Sequence, residues 1–131
     1  MCLDKLENFE VTQNHGWQVF VKQAGCLYPY HFGDSPVPVR KWQRDKFRMP
    51  GENRWVYIDY LSGPRYRKGY HIFLNEEDAR TYCPISETYC IRKVRFKKIL
   101  ARGLQEISAD DEGGTRRVRV VVCHKRFVER S

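Results

Sequence analysis

The sequence predicts an α+β domain: a mostly antiparallel sheet of five or six strands, with one short helix at about 75–83 packed on it. Three observations lead there. Apolar and charged residues alternate with period two in "CIRKVRFKKIL" (90–100) and "RRVRVVVCHKRFV" (116–128), as strands with one buried face do. Clusters of Gly, Pro, Asn and Ser punctuate the chain between such runs. The stretch "NEEDARTY" (75–82) carries helix-start chemistry: Asn75 suits an N-cap, and Glu76, Glu77 and Asp78 fill the turn where the helix dipole favours acids.

Each element follows in order. In "FEVTQNHGWQVFV" (9–21), Phe9 and Val11 alternate before Asn14-His15-Gly16, and Trp17, Val19 and Val21 after it. Those three supply turn residues, which predicts a hairpin or a bent strand entry. Gly25 then turns the chain. Residues 28–53 hold Pro29, Pro36, Pro38 and Pro50, and Pro36-Val37-Pro38 cannot sit in a central strand, so a long irregular loop or edge segment is expected. "RWVYIDYL" (54–61) reads as a strand and Ser62-Gly63-Pro64 as a turn. In "GYHIFL" (69–74), Tyr70, Ile72 and Leu74 share one strand face, His71 and Phe73 the other. The helix follows, with Ala79 and Tyr82 toward the sheet, and Pro84 stops it near Cys83. Val94 and Phe96 point inward from the next strand, opposite Lys93, Arg95 and Lys97. Residues 108–115 form a flexible polar turn around Gly113-Gly114. In the last strand Val118, Val120 and Val122 point inward, opposite Arg117 and Arg119.

The 131 residues make one domain, 1–131, with no repeat. Twenty-four Lys and Arg against sixteen Asp and Glu give a net charge of +8. Such a field draws nucleic acid, anionic membrane or acidic protein surfaces, and also keeps a small protein dissolved. No apolar run is long enough for a transmembrane helix. Met1-Cys2-Leu3-Asp4-Lys5 lacks a charged-then-apolar signal pattern, so a cytoplasmic location and no membrane partner are expected. Five cysteines, an odd count, then read as reduced thiols.

Two surfaces are candidates for binding. The basic strand rows Lys93, Arg95, Lys97 and Arg117, Arg119 would merge into one face if their strands pair, and would hold phosphates by charge. The plain alternative is a solvated sheet face. The loop residues Tyr28, Tyr30, Arg40, Lys41, Trp42 and Arg44 interleave rings and cations, which suits base stacking or docking. The plain alternative is rings pinning a loop to the core. Cys83 and Cys90 are seven apart, and no C-x-x-C or His-x₃₋₅-His spacing exists, so neither metal nor cofactor is assigned. Cys2 would gain a neighbouring amine as base only if Met1 were removed. No catalytic motif occurs, and His71 has no acid or Cys at motif distance, so it reads as structural.

The start Met1-Cys2-Leu3, the strand "GWQVFV", the Gly-Cys-Leu-Tyr turn, "GYHIF" with Asp78-Ala79 and Tyr82, and "CIRKVRF" together resemble a group of short, uncharacterised proteins of phages and prophages. The resemblance implies a phage accessory protein, in the host cytoplasm, that counters a host system. The order of elements is also loosely similar to ADP-ribosyltransferase-like folds. There the first-strand position falls at Trp17-Gln18-Val19, without the Arg or His of that pattern, and Glu106 is the late glutamate. The expected function is therefore non-catalytic binding of an acidic protein surface or nucleic acid. The alternative is an ADP-ribosyltransferase-like enzyme, or enzyme remnant, that binds a nucleotide.

Overall fold

The computed structural model describes residues 3–30, 35–44, 55–57, 65–67, 69–108 and 114–130. In chain order the elements are β1 (Lys5–Leu6), β2 (His15–Gln23), β3 (Cys26–Pro29), β4 (Trp42–Arg44), β5 (Trp55–Tyr57), β6 (Arg65–Arg67), β7 (Tyr70–Phe73), α1 (Glu76–Tyr82), β8 (Tyr89–Ser108) and β9 (Thr115–Val128). Seven strands form one antiparallel sheet, and β5 pairs with β6 in a separate ribbon. The α+β layout is as expected, but strands outnumber the five or six predicted. The added strands are β1, β3, β4 and β6, whose two to four residues are too few to show a period, whereas β5 falls within the strand predicted at 54–61.

The sheet closes on itself. β8 pairs with β2 from His15↔Arg95 to Val21↔Tyr89, and β2 meets β7 at Trp17↔Phe73. β7 pairs with β9, and β9 returns to β8. Closure without an open edge needs long strands that bend. β8 has 20 residues and β9 has 14, against a usual length of about 5–6. β8 bends where Lys98 adopts φ 59° and the register slips between Ile99 and Ala101, a bulge that turns the strand.

Each strand of this ring contributes to an interior cluster: Phe20, Ile72, Val94, Phe96, Val121, Cys123 and Val128. A second cluster covers the opposite face, where Leu3, Tyr66 and Ala79 of α1 pack on Phe73, Ile107, Val118, Val120 and Val122. Val118, Val120 and Val122 are thus buried as predicted, and so are Val121 and Cys123 behind them. A run of valines without polar interruption is what a strand buried on both faces requires.

Asn14-His15-Gly16 does not close a hairpin; the chain bends at Asn14 and enters β2. β2 starts at His15, Gly16 is buried inside it, and residues 7–13 are not strand although Phe9 is buried. The glycine serves close approach: a Cβ there would lie 2.3 Å from the Phe73 carbonyl oxygen and 2.5 Å from Ile72 Cγ2. The real reversal is Ala24-Gly25, with φ 50° and 79° between the paired Gln23 and Cys26. Two positive φ values in a two-residue loop match a type I′ turn, whose twist suits the flanking strands.

α1 forms where the sequence placed it. Asn75 Oδ1 accepts the Glu77 amide at 2.8 Å, and the helix ends at Cys83 before Pro84. Arg116 fastens the helix to β9 through Asp78 at 2.9 Å and Thr81 at 3.2 Å. Partial burial raises the Asp78 carboxyl above the ordinary range, and Arg116 opposes that shift.

The segment 28–53 is not wholly irregular. Tyr28 and Pro29 end β3, Val37 is buried, and Trp42–Arg44 pair with β9 as an edge strand. Its residues 31–34 and 45–53 lie outside the described residues, as do 54 and 58–61 of the predicted strand. Ser108 and Thr115 pair across the end of β8 and β9, and residues 109–113 of the predicted flexible turn lie outside the described residues. Among the described residues, no helix is long and apolar enough to cross a membrane.

Candidate functional site

The β8–β9 register decides where the cations go. The strands do pair, but Arg117 faces Glu106 and Arg119 faces Leu104, whereas Arg95 faces Phe127 and Lys97 faces Lys125. Arg119 and Lys125 are six residues apart, about 20 Å along a strand. The faces differ too. Arg117 and Arg119 share parity with Val121 and Cys123, and Arg119 lies over the Phe9 ring at 5.1 Å, on the side of the interior cluster. Lys93, Arg95 and Lys97 lie opposite Val94 and Phe96, members of that same cluster. The two predicted basic rows therefore do not merge.

A different set of cations does converge. Residues directly opposite in an antiparallel ladder point to the same face. Lys97 opposes Lys125, and Lys125 opposes Arg44 on β4, so Arg44, Lys125 and Lys97 form one cross-strand row. The neighbouring row is Trp42, Phe127 and Arg95. Lys98, just before the bulge, adds a fourth cation beside Lys125. The like charges of Lys98 and Arg44, followed by some desolvation and by Lys97, hold the Lys125 ammonium below the usual lysine range. Among the described residues, the ion pairs engage Arg80, Arg95 and Arg116, and no carboxylate stands at ion-pair distance from Arg44, Lys97, Lys98 or Lys125.

The rings beside this row are held in place. Trp42 is 37% exposed and tilts against Phe127, with centroids 5.5 Å apart and planes at 54°. The Arg95 guanidinium caps the Phe127 face at 4.2 Å and is itself held by Glu129 at 3.2 Å. Lys97 Nζ sits 4.1 Å from the centre of the Trp42 ring. On the adjoining strand, Trp17 stands opposite Lys93 and meets His15 edge-on. Arg40 and Lys41 are exposed at the start of β4, and the Arg40 amide donates to the Val128 carbonyl at 2.8 Å.

The loop candidates therefore divide. Trp42 and Arg44 belong to the cationic face. Tyr30 packs edge-on against Tyr82 and Tyr89, pinning its segment to the helix and β8. Tyr28 pairs with Val21 in the β2–β3 hairpin. Lys98, Lys125 and Phe127 were not singled out from the sequence. Strict alternation puts Lys125 in line with Arg117 and Arg119. The bend sends it outward instead: Lys97 and Lys125 face out, while Ile99 and Cys123, one pair further on, pack inward. The only local sign was the dense basic spelling of "KK" and "HKR".

Lys98 at positive φ pairs backbone strain with charge. A non-glycine residue in the left-handed region costs about 1–2 kcal/mol. Relief of that strain outweighs the roughly 0.5–1 kcal/mol that glycine's extra freedom in the unfolded chain costs, so Lys98→Gly is expected to raise stability by about 0.5–1 kcal/mol while weakening polyanion binding severalfold. Urea unfolding alongside a binding titration measures both.

The groups considered for chemistry are spread out. His71 Nε2 lies 3.0 Å from the buried Tyr66 hydroxyl, which also accepts the Leu3 amide at 2.9 Å, so its place is in the packing of β6 and the N-terminal segment. Gln18 donates to the His71 carbonyl and accepts from the buried Arg126, whose guanidinium lies 4.0 Å from the Tyr70 ring centre. Glu106 is exposed at the far end of β8, where its amide donates to the Asp4 carboxylate. An open cleft of about 570 Å³ is lined by Leu6, Glu7, Asn8, Tyr66, Ile99, Leu100, Ala101 and Arg102, with Arg102 tied to Asn8 and the Phe9 carbonyl. Among the described residues, no group of His, Cys, Asp and Glu is arranged to hold a metal ion.

The described cysteines, Cys26, Cys83, Cys90 and Cys123, are free thiols. Burial pushes the Cys123 thiol far above the ordinary range, so it holds almost no thiolate, the reactive form. In the native protein iodoacetamide should modify exposed Cys26 and reach Cys123 only after unfolding, as peptide mass spectrometry would show. Modification of both at equal rates would contradict the packing.

Comparison with protein-family models, with curated proteins and with solved structures gives no match to this chain.

Proposed function

We propose that this is a small basic accessory protein of phage type that acts by occupancy and without catalysis. It binds an acidic protein surface or a nucleic acid, and by doing so blocks a host or defence complex. One observation carries the binding: Arg44, Lys97, Lys98 and Lys125 crowd one sheet face with no carboxylate at ion-pair distance among the described residues. Like charges held together raise the folded state's energy, and a bound polyanion relieves that cost. The phage context is supported by the residues of "GYHIF", Asp78-Ala79 and "CIRKVRF" that resemble phage and prophage proteins.

Salt is the test. For a nucleic acid that neutralises four cations, log affinity should fall against log salt with a slope of about −2.8, taking about 0.7 per phosphate of a single strand. For an acidic protein, the on-rate should fall with salt while the off-rate changes less. Binding that is flat in salt, or no binding to any polyanion, would sink the proposal.

A further inference from the structure

We infer that the polyanion held by this face is a single-stranded nucleic acid, with phosphates along the Arg44–Lys125–Lys97 row and one base stacked on Trp42. The inference rests on the reading above, that the face binds a polyanion, and identifies which one.

Alternate residues of one strand lie about 6.6 Å apart, and neighbouring strands about 4.8 Å apart. The ring row Trp42–Phe127–Arg95 thus runs beside the cation row at one step's distance. Cations in a line track a charged backbone. Rings one step to the side meet whatever projects from it. An acidic peptide or a polyphosphate projects no flat π-face there. A duplex has phosphates, but its base faces are already stacked on one another. A single strand offers phosphates and free base faces together, which is why stacking platforms beside cationic tracks suit it.

The rings are not equivalent, and this sets the number of bases. Phe127 is covered: Arg95 lies over its face at 4.2 Å and is held there by Glu129. Trp42 is the accessible ring, 37% exposed and braced by Phe127 so that its plane is fixed before a base arrives. The group now over Trp42 is the Lys97 ammonium, 4.1 Å from the ring centre and with no carboxylate of the described residues to hold it. A phosphate entering the row draws that ammonium off the ring and frees the face. Filling the row and uncovering the stacking surface are then one event.

The test uses the full chain and fluorescence anisotropy. The probes are a fluorescein-labelled oligothymidine of about twelve nucleotides, within the span such surfaces cover, a duplex of equal length, polyphosphate and polyglutamate. The single strand should bind at least about tenfold tighter than the duplex. Trp42→Ala should weaken single-strand binding by about tenfold or more, the usual worth of one stacked base. Trp42→Phe should restore most of it, and polyphosphate affinity should be the same in all three proteins. Oligothymidine should also quench tryptophan emission in the parent and not in Trp42→Phe, a readout that stands even if Trp42→Ala does not fold. If duplex and polyphosphate match the single strand and Trp42→Ala changes nothing, the inference fails while the polyanion reading survives. Tighter binding of polyglutamate than of oligothymidine also overturns it, in favour of an acidic protein partner. If no probe binds, both readings fall.

Discussion

Reversing two charges in the cross-strand row, Lys97→Glu with Lys125→Glu, is expected to weaken polyanion binding by about a hundredfold and to leave the fold intact. The two side chains face each other from β8 and β9 on the outward face, so neither change enters a core cluster. Each reversal removes an attraction and sets a like charge against the bound anion, where juxtaposed like charges are costly. The same double change should not destabilise the protein. Lys125 already carries the repulsion of Lys98 and Arg44, and a carboxylate there turns that repulsion into attraction. Loss of binding with unchanged or higher stability separates a functional charge cluster from a structural one. Isothermal titration and urea unfolding of the same preparation read both. Arg117→Glu with Arg119→Glu provides the contrast: the same change in net charge at the other end of the hairpin should cost much less affinity.

A single added methyl group is expected to destabilise the fold strongly. Gly16→Ala puts a Cβ within 2.3 Å of the Phe73 carbonyl oxygen and 2.5 Å of Ile72 Cγ2. The first of these is backbone and cannot swing aside. It lies where β2 meets β7 at Trp17↔Phe73, the narrowest link of the closed ring. Overpacking a tight site costs about 1–3 kcal/mol, and the upper end is expected because both clusters are drawn in: Ile72 belongs to the interior one and Phe73 to the other. Chemical denaturation should show a lower midpoint with a similar slope. A midpoint equal to the parent's would mean that β2 and β7 are not joined as described. Gly25→Ala offers a comparison of a different kind, since it has open space but φ 79°, so its cost is conformational alone.

Much of the fold was legible because much of it rests on local chemistry. Asn75 with three acids after it is a helix start in any context, and Pro84 is a stop. Val94 and Phe96 against Lys93, Arg95 and Lys97 follow the pleat, and the structure keeps them so. Gly16 reads as part of a turn because a glycine after Asn and His signals one, whereas here the demand comes from β7, more than fifty residues away in the chain. The candidate site failed for a related reason. Which cations become neighbours depends on where β8 and β9 bend, and β8 bends at Lys98 with φ 59° and at a bulge between Ile99 and Ala101 that no glycine marks. Period-two counting carried through that bulge assigns Lys125 to the wrong row. Trp42 and Arg44 read as loop residues because a three-residue edge strand next to prolines leaves no alternation to find.

An amide chemical-shift titration of the full chain with a short oligothymidine reads, residue by residue, whether a polyanion binds the Arg44–Lys97–Lys98–Lys125 face. Progressive, salt-sensitive shifts are expected, centred on residues 42–44, 95–98 and 125–127, with the Trp42 indole N–H among the largest. Shifts centred instead on Arg117 and Arg119, or on the cleft at Leu6 and Arg102 with the 95–98 and 125–127 amides unmoved, would contradict binding at that face.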